Sequence, residues 1–514
     1  MPLGATSFSN GENRTPPLKS RRRASLWTLH GTLPRQTPVS ATRPLLPSGR
    51  FRGDVEAPAR THIAGAGQTQ RLTKRPPREV YSKKALKYSK FYGGKVGVVP
   101  KVPVRSLDDF SIWYTPGVAA VSKAIQADPE LSFEYTGRWN TIAVVTDGTR
   151  VLGLGNIGPE GALPVMEGKA LIYNYLGGVN AIPLPVKVGS DEEFISFVKA
   201  LEPSLGGVNL EDIESPKCFE ILDRLRGEMS IPVWHDDQQG TAGVTLAALY
   251  NALELTGRKL RGSRIVLFGA GAANVAAERL LVKAGADPKD IIVLDSKGIL
   301  HPERDDIDQL MLKNRWKYDI AIRTNGDRLS GGLRVALDGA DALVAAAGQG
   351  PDMVKPNEVS VMGRRAIAFF LANPVPEMLP DAAHRAGAEI VATGRSDYPN
   401  QVNNSLLFPA IFRGALDVRA KTITDGMVID AAKELAAFAR EKGLSKNYII
   451  PTMVQWEVFP RVAARVGQAA VRDGVARRKI SPKESLGAAL GMIEHSRKVM
   501  STLRRSGAIV DPPE

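Results

Sequence analysis

From about residue 78 onward the chain is written in blocks. Short apolar runs closed by glycine, proline or acid alternate with longer stretches whose apolar positions recur at helical spacing. "REVYSKKALKYSKFYGG" (78–94) predicts a helix stopped by its glycine pair, and "RSLDDFSIWYTPGVAAVSKAIQADPE" (105–130) a loop entering a helix. "TIAVVTDGTRVLGLG" (141–155) places two apolar runs around Asp147-Gly148, a hairpin signal. "PVMEGKALIYNYLG" (164–177) predicts a helix ended by Gly177-Gly178, followed by a strand in "AIPLPVKVG" (181–189). Two more short strands precede Glu211 and Asp236. Strand and helix in alternation specify an α/β domain.

A second α/β unit begins with the long helix of "GTAGVTLAALYNALELTG" (240–257). "SRIVLFGAGAANVAAERLLVKAG" (263–285) is strand, glycine-rich turn and helix, and "IIVLDSKG" (291–298) the next strand. The unbroken apolar runs at 340–348, 366–374 and 389–395 read as buried strands of a parallel sheet. Beyond residue 424 the pattern is helical, with a strand-like break at "YIIP" (448–451). The expected architecture is α/β: a basic extension over 1–78, an α/β catalytic domain over 79–239, a Rossmann-type doubly wound parallel sheet over 240–440, and a helical segment over 441–514.

In "FGAGAAN" (268–274), Gly269, Gly271 and Asn274 occupy the three positions of GxGxxG. The first glycine permits a tight turn and the second a close approach of backbone to a diphosphate. The helix N-terminus formed by Gly269, Ala270, Gly271, Ala272, Ala273 and Asn274 would hold that anion. Asn274 departs from the motif, since a glycine there serves close helix–strand packing. Asp295 ends the following strand, where a carboxylate would accept hydrogen bonds from a ribose. A 2′-phosphate would meet repulsion from Asp295 but attraction from Lys297, so the choice between NAD and NADP stays open, leaning to NAD.

Two pairs of adjacent acids follow apolar runs: Glu211-Asp212 and Asp236-Asp237. An unpaired charge at the end of a buried strand is expensive. Glu211, Asp212 and Asp237 would form an all-oxygen site suited to Mg²⁺ or Mn²⁺. Asp236, facing the other way in an extended chain, needs a separate partner, for which a lysine is the natural candidate. The competing reading makes all four ordinary caps and surface charges.

Composition narrows the class. At 514 residues, 43% apolar and 24% charged, the chain can build a large core. It has no run of 18 apolar residues, so neither a membrane span nor a membrane partner is expected. Cys218 is the only cysteine, which excludes a disulfide framework and suits a reducing compartment. The net charge of +14 suggests nucleic acid until it is located: residues 1–75 carry 13 Lys/Arg against 3 Asp/Glu. The rest is nearly balanced, and no nucleic-acid partner is expected. The tail, rich in Pro, Ser and Arg, reads as disordered. It stands as an organellar transit peptide, a stretch upstream of a true start near residue 80, or a functional tail.

Several longer stretches together resemble the malic enzymes in their shorter bacterial and archaeal form. They are "WYTPGVA" (113–119), "VLGLGNIGPEGALPVMEGKALIY" (151–173), "NLEDI" (209–213), "WHDDQQGTA" (234–242), "FGAGAAN", and "ATGRSDYPNQVNNSLLFPAIFRGALD" (392–417). The resemblance spans about residues 80–480, without the acyltransferase-like region of the long bacterial forms. It implies oxidative decarboxylation of L-malate to pyruvate and CO₂ with reduction of NAD or NADP, and possible decarboxylation of oxaloacetate. By family position Glu211, Asp212 and Asp237 are the metal ligands, Lys169 the general base, Asp236 its acidic partner and Tyr114 the proton donor. Asn373 and Asn404 match substrate-contacting asparagines, Asn373 also lying by the cofactor, and Arg150 a carboxylate-binding arginine. "AAAGQGPDM" (345–353) is an unusual form of the loop beside the nicotinamide. A cytoplasmic homodimer or higher homo-oligomer is expected, with an organelle matrix the alternative if the tail is a transit peptide. The rival enzymatic reading is a metal-independent amino-acid or hydroxy-acid dehydrogenase. A metabolite sensor or RNA-associated protein using the basic tail is the rival outside enzymology.

Overall fold

The computed structural model describes residues 78–348 and 350–513, and the basic extension up to residue 77 lies outside them. The chain opens with α1 (Arg78–Tyr92), α2 (Leu107–Trp113) and α3 (Val118–Ala127). Where a loop entering one helix was expected over 105–130, the loop part is itself helical, and the two helices are divided at Tyr114-Thr115-Pro116-Gly117. The break falls where Pro116 lacks an N–H and Gly117 packs so tightly that a Cβ would lie 2.4 Å from the Ile112 carbonyl.

The first sheet has the order β2-β1-β3-β4, all parallel: β1 (Thr141–Thr146), β2 (Asn180–Pro185), β3 (Gly207–Leu210) and β4 (Val233–His235). The hairpin expected over 141–155 does not form. Both edges of β1 are taken by parallel neighbours, leaving no antiparallel slot, and only an isolated Val151–Gly155 bridge survives of the second run. The next helix, α4 (Gly158–Gly177), begins six residues earlier than the pattern suggested, with Pro159 in its first turn where a missing N–H costs nothing. It ends as expected on Gly178, which is left-handed (φ 62°).

Next comes α5 (Thr241–Leu255), buried nearly all round, as its almost uniformly apolar sequence requires. The second sheet, order β10-β9-β8-β5-β6-β7, is parallel except for its last pair. Its strands are β5 (Ile265–Phe268), β6 (Ile291–Asp295), β7 (Gly298–Ile299), β8 (Ala342–Ala345), β9 (Ala366–Phe370) and β10 (Ala388–Thr393). The chain runs outward from β5 to β6 and then returns to β8 on the other side of β5. That reversal opens a crevice between the loops following β5 and β8. One wall starts α6 (Ala272–Lys283).

Four further helices close the fold: α7 (Phe408–Asp417), α8 (Asp425–Lys442), α9 (Val458–Arg472) and α10 (Pro482–Arg505). The "YIIP" break between α8 and α9 is irregular rather than a strand, because asparagine side chains take up its backbone. Asn400 accepts from the Ile449 N–H (3.0 Å), and Asn251 donates to the Ile449 carbonyl (2.8 Å).

Every residue of α7 is buried, and it ties the end of the chain back to the first sheet. Arg413, wholly buried, donates to Asn140 (2.5 Å) ahead of β1, to the Gly178 carbonyl (3.3 Å) after α4, and to Asp417 (3.0 Å). Removing one partner of such a network leaves the others buried and unsatisfied. Arg413→Ala should therefore lower the unfolding free energy by about 3–5 kcal/mol in urea titrations; a loss within experimental error would show that α7 is held by apolar packing alone.

Candidate active site

The carboxyl ends of β3 and β4 lie side by side, since Leu210 pairs with His235. The residues that follow, Glu211-Asp212 and Asp236-Asp237, therefore meet. Glu211 and Asp212 are 2% and 3% exposed, and one carboxylate oxygen from each of Glu211, Asp212 and Asp237 lies within 4.8 Å of the others. Asp212 is left-handed (φ 54°), a conformation short polar side chains tolerate. Its N–H donates to Asp237 Oδ2 (2.8 Å), and its Oδ1 accepts from the Leu152 N–H (3.2 Å).

Asp236 stands outside this group of three, across Lys169 from Glu211, and by a geometry other than the extended chain expected. Residues Asp236–Gly240 form one turn of π-helix rather than extended chain. Asp236 pairs with Lys169 on α4 and accepts from Trp234 Nε1 (3.0 Å). Gly240 is required there, because a Cβ would fall 2.0 Å from Asp236 Oδ1 and 3.1 Å from the Asn404 Cβ. Lys169, 9% exposed, also lies 2.8 Å from Glu211 Oε1 and over the Phe408 ring.

Four buried or half-buried acids thus face one ammonium. Burial raises the Glu211 carboxyl well above its usual range despite Lys169, and Asp237 pushes the same way. Asp212 is lifted to about 7, by burial first and Asp237 second. Burial works against the charge on Lys169, yet Asp236, Glu211 and Asp237 outweigh it and hold the ammonium protonated. His235, buried beside Asp237, is pushed down to about 4 by burial and stays neutral, so it offsets nothing. Asp212 Oδ2 is buried with no hydrogen-bond partner among the described residues. An orphaned carboxylate oxygen beside two more fits a hard divalent cation with oxygen ligands.

Three supporting residues escaped the sequence reading. Tyr173 donates to Asn209 (2.8 Å), which donates to Glu211 Oε2 (2.9 Å), fixing the face Glu211 turns to the cluster. Trp234 orients Asp236. Tyr173 is one helical turn after Lys169 and Trp234 two strand positions before Asp236, so periodicity alone could have flagged both.

The other expected residues fall less evenly. Asn373 and Asn404 are half-buried: Asn404 abuts the Asp236–Gly240 turn, and the Asn373 amide packs on Gly394 at the end of β10. Arg150 is exposed on the loop after β1, and its backbone N–H donates to the Asp212 carbonyl (2.9 Å). Tyr114 is not brought to the cluster: it is 71% exposed between α2 and α3.

In the nucleotide crevice Gly269 (φ 98°) is obligatory, since a Cβ would lie 2.6 Å from the Ala346 carbonyl. Gly271 faces open space at the start of α6, ahead of Ala272 and Ala273. Asn274 turns inward, 1% exposed, donating to the carbonyls of Phe268 (3.0 Å) and Val344 (3.3 Å). It ties α6 to β5 and β8 by hydrogen bonds where the motif's glycine does so by close packing, and its side chain is unavailable to a nucleotide. Asp295 is held by the Lys297 N–H (2.9 Å), Arg304 (3.0 Å) and Lys317 (3.2 Å), and Lys297 Nζ bonds Asp306 (2.8 Å). These outweigh burial and keep Asp295 ionised below its usual range. The negative charge expected to repel a 2′-phosphate is already neutralised.

Comparison with known proteins agrees with this layout. Residues 93–193 and 190–226 match the malic enzyme N-terminal domain, and 238–375 and 385–471 the malic enzyme NAD binding domain. The NAD-dependent malic enzyme of Geobacillus stearothermophilus is 46% identical over 390 residues, covering 76% of this chain and 79% of that one. The NADP-dependent malic enzyme of Halomonas elongata is 42% identical, covering 75% and 92%. The crystal structure of Entamoeba histolytica malic enzyme superposes with a TM-score of 0.82 at 44% identity, covering 84% and 90%.

Carboxyls whose folded pKa is raised favour the fold while protonated, and that stability is lost as pH rises through about 7. Without metal, the melting temperature should fall between pH 6 and 8. Mn²⁺ should restore more at pH 8 than at pH 6, and bind more tightly there, because binding displaces those protons. Thermal melts in chelator and in Mn²⁺ across that range check this; a metal-free Tm that climbs with pH would contradict the buried cluster.

Proposed function

The chain belongs to the malic enzyme family, and we propose that its buried acids, Lys169 and Tyr114 divide that family's chemistry in the following way. The enzyme converts L-malate to pyruvate and CO₂ with reduction of NAD or NADP. Glu211, Asp212 and Asp237 would hold Mg²⁺ or Mn²⁺, which would acidify the malate C2 hydroxyl and polarise the ketone that oxidation leaves. Lys169 Nζ takes the hydroxyl proton as C2 is oxidised, with NAD or NADP the group that would accept the hydride. Asp236, fixed by Trp234 and the Gly240 turn, aims that nitrogen. With Glu211 and Asp237 committed to a cation, Lys169 keeps Asp236 as its main anionic partner, and burial then lowers its pKa towards that of a base. Asn373, Asn404 and Arg150 orient the substrate. Tyr114 supplies the proton that C3 needs once CO₂ has left. The boundary between malate-binding and nucleotide-binding parts falls at the Asp236–Gly240 turn, near residue 240.

The observation that carries this reading is the orphaned Asp212 Oδ2 between Glu211 and Asp237, with Lys169 alongside. A metal-independent dehydrogenase would leave that oxygen buried for nothing. Lys169→Ala should bind NADH and Mn²⁺ about as the parent does while turnover falls about 10²–10⁴-fold. Tyr114→Phe should slow release of pyruvate from oxaloacetate more than it slows malate oxidation. Undiminished turnover in Lys169→Ala would remove the base assignment, and oxaloacetate handled normally by Tyr114→Phe would remove the acid.

Tyr114 also argues for assembly. Around it lie exposed apolar side chains, among them Leu107 (80%), Phe110 (55%) and Ile112 (57%), and α3 buries none of its residues. Exposed apolar side chains gathered on one short stretch suit a protein interface. We assign it to a second copy of this chain, whose docking brings Tyr114 into a Lys169 site. We place the enzyme in the cytoplasm, a reducing compartment that suits its lone buried Cys218. Sedimentation should show a dimer or larger species. The pair Leu107→Glu and Phe110→Glu should yield monomers that keep Mn²⁺ binding and lose turnover; active monomers would refute this.

A further inference from the structure

One buried carboxylate in the second sheet has no part in the chemistry above. Glu377 is 0% exposed and makes no ion pair among the described residues. Its two oxygens serve two different loops. Oε1 accepts from the Ala347 N–H (3.0 Å), in the loop leaving β8, and Oε2 from the Ala372 N–H (3.2 Å), in the loop leaving β9. Its own carbonyl accepts from the Val354 N–H (3.2 Å), where the first loop returns. The helix beginning at Pro380 has Leu379 at its cap, so Glu377 is not a helix cap.

Both loops matter to the crevice. The first packs against the glycine turn, for a Cβ on Gly269 would sit 2.6 Å from Ala346 O and from Ala347 Cα. The second continues directly into Asn373. We propose that Glu377 is a positioning residue that sets the width and shape of the nicotinamide side of the crevice by fastening the β8 and β9 loops to one carboxylate. This rests on the malic enzyme reading of the crevice. The alternative, a charge buried for stability alone, fits poorly: nothing of opposite charge offsets its desolvation, only backbone N–H groups borrowed from the two loops. Burial pushes its carboxyl up to about 7 against the pull of the Glu377, Ala372, Ala347 and Gly348 N–H groups.

Glutamine tests this at constant volume. Its amide has one acceptor oxygen, and its NH₂ would face an N–H, donor against donor, so one loop is released. NADH fluorescence titration of full-length Glu377→Gln should give a Kd raised about tenfold, with Mn²⁺ affinity near that of the parent and a melting temperature lowered by the unsatisfied buried N–H. In turnover, KM for the nucleotide should rise while KM for malate moves less. Glu377→Asp keeps two acceptor oxygens and should recover part of the affinity; it also serves as the test variant should the glutamine form fail to fold. The titration needs no turnover, so it separates this role from the catalytic assignments. An NADH Kd within twofold of the parent in both variants would overturn the proposal, as would a parallel loss of Mn²⁺ and NADH binding.

Discussion

The structure is organised around an imbalance of charge. Glu211, Asp212, Asp236 and Asp237 converge where β3 and β4 end, and the protein supplies one ammonium, that of Lys169. Bringing like charges together in a low dielectric is unfavourable unless something neutralises them. The fold nevertheless enforces it, through a left-handed Asp212, a π-turn at Asp236–Gly240 and a glycine where a Cβ would strike Asp236. Local departures of this kind persist only when the surroundings over-determine them, and they cluster at active and ligand sites.

The same turn joins the two sheets. Asp236–Gly240 leads without a break into α5, which is buried on nearly all faces and packs on α6, the helix that opens the nucleotide crevice. The Asp236–Gly240 turn also packs directly on α6, so the acid cluster and the glycine turn are linked through these packed helices. Arg413 adds a second link, running from α7 back to Asn140 and Gly178. Hydride transfer from a malate carbon to a nicotinamide would depend on such spacing, because the reacting atoms must be held about 3–3.5 Å apart.

How much of this could be read from the chain follows from how local each cause is. Parallel strands appear as unbroken apolar runs, so nearly all were legible: β1 to β4 and the second sheet apart from the two-residue antiparallel β7 fell where the runs did. The acids were legible because each pair follows such a run. Asp147-Gly148 carried a sound local turn signal, but both edges of β1 were already occupied, and sequence does not reveal occupancy. "YIIP" looked like a strand because its bonds go to Asn251 and Asn400, far away in the chain. Asn274 looked like a defect in the glycine motif for the same reason: the carbonyls it binds belong to β5 and β8. Tyr114 was legible by resemblance, whereas its exposure depends on which surfaces remain uncovered in a single chain.

Asp212 and Glu377 show how to tell two kinds of buried acid apart. Both are nearly inaccessible, and burial lifts both carboxyls to about 7. The difference lies in the supply of donors. Each Glu377 oxygen receives a backbone N–H from a separate loop, so its charge is spread over dipoles that the fold itself provides. Asp212 receives one N–H on Oδ1 and nothing on Oδ2, while a second and a third carboxylate crowd the same space. Fixed dipoles meet both Glu377 oxygens without a ligand, although burial still lifts the carboxyl, and the group acts on the backbone it binds. An oxygen left without a donor beside two further carboxylates suits a cation from outside. Counting donors per buried oxygen thus separates a carboxylate that holds loops from one suited to a metal, where burial and pKa alone do not.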